Sequence, residues 1–152
     1  MKQFEFRLQK VMETTRAREE LQKKELARAL ADLDRNETLL DQMLDHLEQE
    51  VEQFAGIRKK GAIKVSTLAQ YASYTDSLLA KIGRQRQEIE KLAKLADEHR
   101  DKLIEITRDK KILEKLKEKR FEEYRRKLRQ VEQKFMDEIS SRSFHNGMSE
   151  TN

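Results

Sequence analysis

The 152-residue chain contains no cysteine, no proline and no tryptophan, and only four glycines. Without cysteine there is neither a disulfide framework nor a thiolate metal site. No stretch approaches the roughly 20 apolar residues of a membrane span. The opening Met-Lys-Gln-Phe-Glu-Phe-Arg-Leu is too charged for a secretory signal. There is no Gly-rich phosphate loop. The three histidines, His46, His99 and His145, are scattered, with no second ligand at metal-binding spacing. No cofactor and no metal are expected. Carboxylates are abundant, but pairs four apart on a charged helix are surface features by default. A chain of this kind offers no cavity in which a pKa shifts or water is excluded, so catalysis is not expected.

Charged residues make up 41% of the sequence, far above the roughly 25% of a globular chain. Such a composition suits either disorder or exposed helices, and a sustained apolar seam decides for the helices. Leu26, Leu30, Leu33, Leu40, Leu44, Leu47, Val51 and Phe54 are spaced mostly by four and three, with Glu37 as the break. A second run follows Gly61: Leu68, Tyr71, Leu78, Ile82, Ile89, Leu92, Ala96, Leu103 and Ile106, with Thr75, Gln85 and His99 as polar rungs. A 3.5-residue repeat keeps one seam of a helix against a partner helix. Two seams joined by a short break predict an all-α fold: an antiparallel two-helix coiled-coil hairpin whose second helix is the longer.

The predicted boundaries are helix 3–57, link 56–66 and helix 67–140, forming one unit over 1–140, with a flexible tail over 141–152. Gly56 and Gly61 supply backbone freedom for the reversal, and Ser66 is a fair N-cap. A turn near residue 61 sets Leu40 opposite Ile82 and Gly83, and Phe4 near Lys119. From Glu13 to Glu25 only Ala17 and Leu21 are apolar, so pairing there is expected to be loose. At the far end Phe121, Tyr124, Leu128, Val131 and Phe135 continue a seam beyond the reach of the first helix. Five large apolar side chains left in water call for cover, from a differently placed first helix, from a second copy or, the reading favoured here, from another protein that docks on the stripe.

The formal net charge of +4 conceals segregation. Residues 32–52 hold eight acids and one base, a net of −7, whereas residues 110–134 hold eleven bases and five acids, a net of +6. Charge runs are often merely solvated faces, but separated charge of opposite sign also suits ends that seek different partners. A phosphate-tracking surface would be more purely basic than the stretch interrupted by Glu118, Glu122 and Glu123. Nucleic acid is therefore not an expected partner.

Phe4-x-Phe6-x-Leu8-x-x-Val11, Leu68-x-x-Tyr71-x-x-Tyr74-x-x-x-Leu78 and Lys111-x-x-Glu114-Lys115-Leu116 through Glu122-x-Tyr124, closing on Asp137-Glu138-Ile139, together resemble FliJ. That family is the soluble coiled-coil component of the flagellar type III export apparatus, similar to the central stalk of rotary ATPases. The resemblance implies three partners: the hexameric export ATPase, the cytoplasmic region of the export gate membrane protein, and export chaperones. It implies peripheral association with the inner-membrane export apparatus without insertion into the membrane. The lack of cysteine, secretory signal and membrane span already suggests the cytoplasm, and two seams with one Gly-flanked break suggest a monomer. For the gate, Tyr74 and Leu78 match the family's patch. Lys81 and Gln85 depart from it, and Leu78 also fits the intramolecular seam. For the ATPase, the expected contacts are Phe121, Tyr124, Leu128, Val131 and Phe135, with Arg125 and Arg126 steering toward acidic groups. The alternatives are a generic coiled-coil scaffold or the stalk subunit of another rotary ATPase.

Overall fold

The computed structural model describes residues 3–149, with side chains to residue 145. It contains two helices, α1 (Gln9–Lys59) and the longer α2 (Val65–Ser149), and no strand among the described residues. The all-α, two-helix architecture is the one the seams predict. Its contacts form two units. One combines residues up to Arg18 with those from Ile106 onward, and the other is Glu19–Glu105.

The Glu19–Glu105 unit is a hairpin of the two helices. α1 runs through Gly56 to Lys59, so the break is shorter than the expected 56–66 link. Arg58 and Lys59 lie in the last turn of α1, where cations complement the C-terminal end of the helix dipole. The Lys60 N–H donates to the Ile57 carbonyl at 3.2 Å. Gly61 then takes φ +126°, a left-handed conformation that a side chain would strain. α2 starts at Val65, its Leu68 N–H donating to the Lys64 carbonyl at 3.1 Å. Ser66 therefore lies inside the first turn and is not the N-cap. Phe54 and Tyr71 stack near the turn, with centroids 3.8 Å apart and planes 8° from parallel.

From Tyr71 to Ile106 the α2 seam follows the expected path, with Leu78, Ile82 and Ala96 buried, but Leu68, expected to begin it, is 50% exposed. The α1 seam follows its expected path at Leu26, Leu33, Leu40, Leu44, Leu47 and Phe54, all half-buried, but not at Leu30 and Val51. Ala29 is buried while Leu30 is exposed, and Val51 is exposed while Glu50 is half-buried. Gln22, Leu26, Ala29, Leu33, Asn36, Leu40, Met43, Leu47, Glu50 and Phe54 are protected in an unbroken four–three repeat, with Glu25, Asp32 and Leu44 half-buried beside it. Glu37 is thus off the seam, not a break in it. Polar rungs are matched across the helices. The Gln22 amide donates to His99 Nδ1 at 2.9 Å and to the His99 carbonyl at 3.1 Å. The Gln85 amide donates to the Asn36 carbonyl at 3.0 Å and to its Oδ1 at 2.9 Å. Burying such groups is tolerable because they are satisfied, and the matched rungs penalise slippage of the register. On the outside, Lys23 meets Glu20 at 2.9 Å. The Glu20 hydrogen bond, with help from Glu19, holds that ammonium pKa above its usual value.

The other unit pairs the start of α1 with α2 beyond Ile106. Here the repeat continues backward through Glu19's neighbour rungs: Thr15 and Met12 are buried, Met12 completely. The Thr15 hydroxyl donates to the Val11 carbonyl at 2.8 Å. The region expected to be loose is packed, and its seam uses Thr15 and Glu19 instead of Ala17 and Leu21, with Leu21 61% exposed. Residues 3–8 are not helical, contrary to a helix beginning at residue 3. Phe4 and Phe6 explain why. Two residues apart on a helix point about 200° from one another, yet Phe6 is buried and Phe4 also packs on α2. Only an irregular segment serves both rings. At the opposite end α2 stays helical past Ser140 to Ser149, through most of the stretch expected as tail; residues 150–152 lie outside the described residues.

Candidate functional site

Nothing in the described residues gathers a reactive centre. No group of three or more His, Asp or Glu side chains is placed to hold a metal ion, and no helix is long and apolar enough to cross a membrane. What the fold displays is surface.

The first surface is around Tyr74, on the outer face of α2 in the Glu19–Glu105 unit. The residue is 44% exposed. Its hydroxyl shares a 2.5 Å hydrogen bond with His46 Nε2 of α1, and the two rings meet edge to face at 6.1 Å. The helix pair thus fixes the ring's orientation while leaving much of it in water. Leu78, one turn on, is buried at 8% exposure in the seam. The two residues expected to act together are therefore separated by the packing. Sequence reasoning passed over His46, whose signal was its place across the hairpin from Tyr74.

The second surface belongs to the unit that contains the chain ends. Phe121 and Tyr124, expected to lack intramolecular partners, have one. Phe4 packs edge to face on Phe121 with centroids 5.2 Å apart, and lies 5.6 Å from Tyr124. The expected register placed Phe4 near Lys119 on a straight helix; the irregular segment carries it further along α2. Lys117 donates to Gln9 Oε1 at 2.9 Å, and Arg16 reaches Glu114 at 3.5 Å. Leu128 is half-buried. Beyond it the apolar side chains stand in water: Val131 is 51% exposed, Phe135 and Met136 62%, and Ile139 and Phe144 are exposed as well. Arg125 and Arg126 are exposed beside Arg129 and Glu122, around a shallow depression of about 190 Å³. Arg125 also stands 6.0 Å over the Phe121 ring.

The family model of the flagellar FliJ protein matches residues 4–149. The chain belongs to the FliJ family. Membership makes it a flagellar export-related protein, and the FliJ match spans the irregular N-terminal segment, both helices and the exposed end of α2 alike. No curated protein and no solved structure matches the chain.

Proposed function

We propose that this FliJ-family protein is the stalk-like partner of the hexameric flagellar export ATPase. The observation that carries this reading is the apolar stripe of α2, in which Val131, Phe135, Met136 and Ile139 are left in water after the N-terminal segment has packed against Phe121 and Tyr124. A monomer with such a stripe has an incentive to bind. Fully burying three of these side chains supplies roughly 1.5–3 kcal/mol each before the costs of ordering and association. Arg125, Arg126 and Arg129 flank the stripe and favour an acidic counterpart. The ATPase contact is centred on Leu128, Val131 and Phe135, with Phe121 and Tyr124 contributing from beneath the N-terminal segment. The Tyr74 face meets the cytoplasmic region of the export gate, and the protein assists delivery of export chaperones and their cargo. It works in the cytoplasm, peripherally associated with the membrane apparatus, and it hydrolyses nothing itself.

The test is ATP turnover by the export ATPase, with and without the protein. Wild type is expected to stimulate turnover, and the double substitution Leu128→Asp with Val131→Asp is expected to abolish stimulation in a chain that is monomeric beforehand. Should the same double variant convert a wild-type dimer into a monomer and leave stimulation intact, the stripe is a self-association surface and this assignment fails. Co-purification of membrane rotary-ATPase subunits in place of the export ATPase would favour a stalk role in another machine.

A further inference from the structure

Between the N-terminal segment and α2 lies a groove of about 660 Å³. Its least exposed lining is mostly apolar: buried Phe6 with half-buried Phe4, Leu116 and Tyr124, beside the one half-buried acid, Glu123. Leu8 extends this apolar lining and is itself 38% exposed. Two bases in the lining, Arg7 and Lys127, are exposed and form no ion pair among the described residues. A third, Arg120, is already tied to Glu123 at 3.2 Å, so the charge offered by that pair is largely cancelled. Glu5 also lines the groove, but Arg7 and Lys127 outnumber it, and the next turns of α2 add Arg125, Arg126 and Arg129. The local field is positive around an apolar depression. The volume falls in the range of sites that engulf a small ligand or a few side chains.

We infer that this groove binds an acidic peptide segment of a partner protein, seating one large apolar side chain against Phe6, Leu116 and Tyr124 and setting flanking carboxylates on Arg7 and Lys127. The pairing follows from the chemistry of the walls. A purely apolar occupant would leave two bases without gain, and a purely acidic one would leave the apolar lining wet. The bidentate geometry of Arg7 suits a carboxylate, and an apolar anchor in a pocket ringed by charge is the arrangement that concentrates binding energy in few residues. The irregular course of residues 3–8 creates the site, because a helix there could not present Phe6 inward and Arg7 at the edge of the groove while Phe4 holds α2.

The site shares Tyr124 with the proposed ATPase contact but not the stripe beyond Leu128, and it is tested without the ATPase. The probe is the synthetic peptide Glu-Glu-Leu-Phe-Glu-Glu, labelled with fluorescein and titrated against the full chain, with amide and side-chain NMR shifts mapping its position. Saturable binding is expected, with shifts at Phe6, Leu8, Leu116, Tyr124 and Lys127. Arg7→Glu combined with Lys127→Glu is expected to weaken it by at least about tenfold without loss of helicity, and replacing the peptide's phenylalanine by alanine by a similar factor. The proposal is overturned by absence of binding at millimolar peptide, by an unchanged affinity in the double variant, or by shifts centred elsewhere. It is equally overturned if the double substitution instead dissolves a wild-type dimer, which would make the groove a seat for the acidic 32–52 stretch of a second copy, or if phosphatidylglycerol vesicles bind there while the peptide does not.

Discussion

Phe4 and Phe121 meet edge to face, their ring centroids 5.2 Å apart at an interplanar angle of 68°. With the additional Phe4–Tyr124 contact, this ties the non-helical start of the chain to the far part of α2. Phe4→Ala removes a half-buried aromatic and one aromatic pair, a loss of about 1–2 kcal/mol. The loss should be local. Amide hydrogen exchange is expected to accelerate over residues 3–12 and 113–128, while the Phe54–Tyr71 end keeps its protection. Uniform acceleration along the whole chain would mean that the contact matters to global stability and not to the terminal unit.

The Phe4 segment also shows where the sequence was opaque. The α2 seam from Tyr71 to Ile106 was legible because its polar rungs are few and each is flanked by apolar ones. On α1, apolarity misled: Leu30 and Val51 look like seam residues, yet Ala29 and Glu50 hold those positions. A regular four–three repeat that passes through Thr15, Glu19, Gln22 and Asn36 is invisible to hydrophobicity alone. Its rungs become intelligible only when their cross-helix partners, such as His99 and Gln85, are known. The same holds for the candidate surfaces. The stripe beyond Leu128 could be read from spacing, whereas the cover over Phe121 and the groove beside Phe6 depend on a departure from helix that no periodicity announces.

Glycines at the turn and in the helices should respond oppositely to alanine. Gly83 lies inside α2, and a Cβ added there meets nothing within 4 Å. Gly83→Ala is expected to stabilise the hairpin by about 0.5–1 kcal/mol. Gly61 also has open space, but its φ of +126° is strained for any side chain. Gly61→Ala is expected to cost about 1 kcal/mol or more. Thermal or denaturant melts followed by circular dichroism compare the two, and a stabilising Gly61→Ala would mean that the turn adopts another conformation.

Thr75 occupies a seam rung, and its hydroxyl oxygen is buried with no hydrogen-bond partner. Desolvating a hydroxyl without compensation costs about 1–3 kcal/mol. Thr75→Val removes the group and keeps the branch, so the melting midpoint should rise by the equivalent of about 1 kcal/mol. Thr75→Ser keeps the hydroxyl and loses the methyl, and should lower stability by a comparable amount. If valine is neutral or destabilising, the hydroxyl has a partner in solution, for which water is the obvious agent.

The Tyr74–His46 pair separates two ways in which the gate-facing surface would work. The ring is anchored by its hydroxyl on His46 and presents its exposed part outward. If the gate reads the ring, Tyr74→Phe retains most of the affinity, losing only the orientation that the hydrogen bond provides, and Tyr74→Ala lowers affinity by about tenfold or more, as expected for an aromatic anchor. His46→Ala, which frees the ring without shortening it, should then fall between them. If the hydroxyl itself is what the gate recognises, Tyr74→Phe is as damaging as alanine, and His46→Ala improves binding by releasing the group from its intramolecular partner. A binding titration against the soluble cytoplasmic region of the gate decides, with circular dichroism verifying that each variant remains helical. We expect the first ordering, because the hydroxyl of Tyr74 is already committed to His46 while the residue remains 44% exposed. Equal affinity for all three variants and wild type would remove Tyr74 from the gate-binding surface altogether.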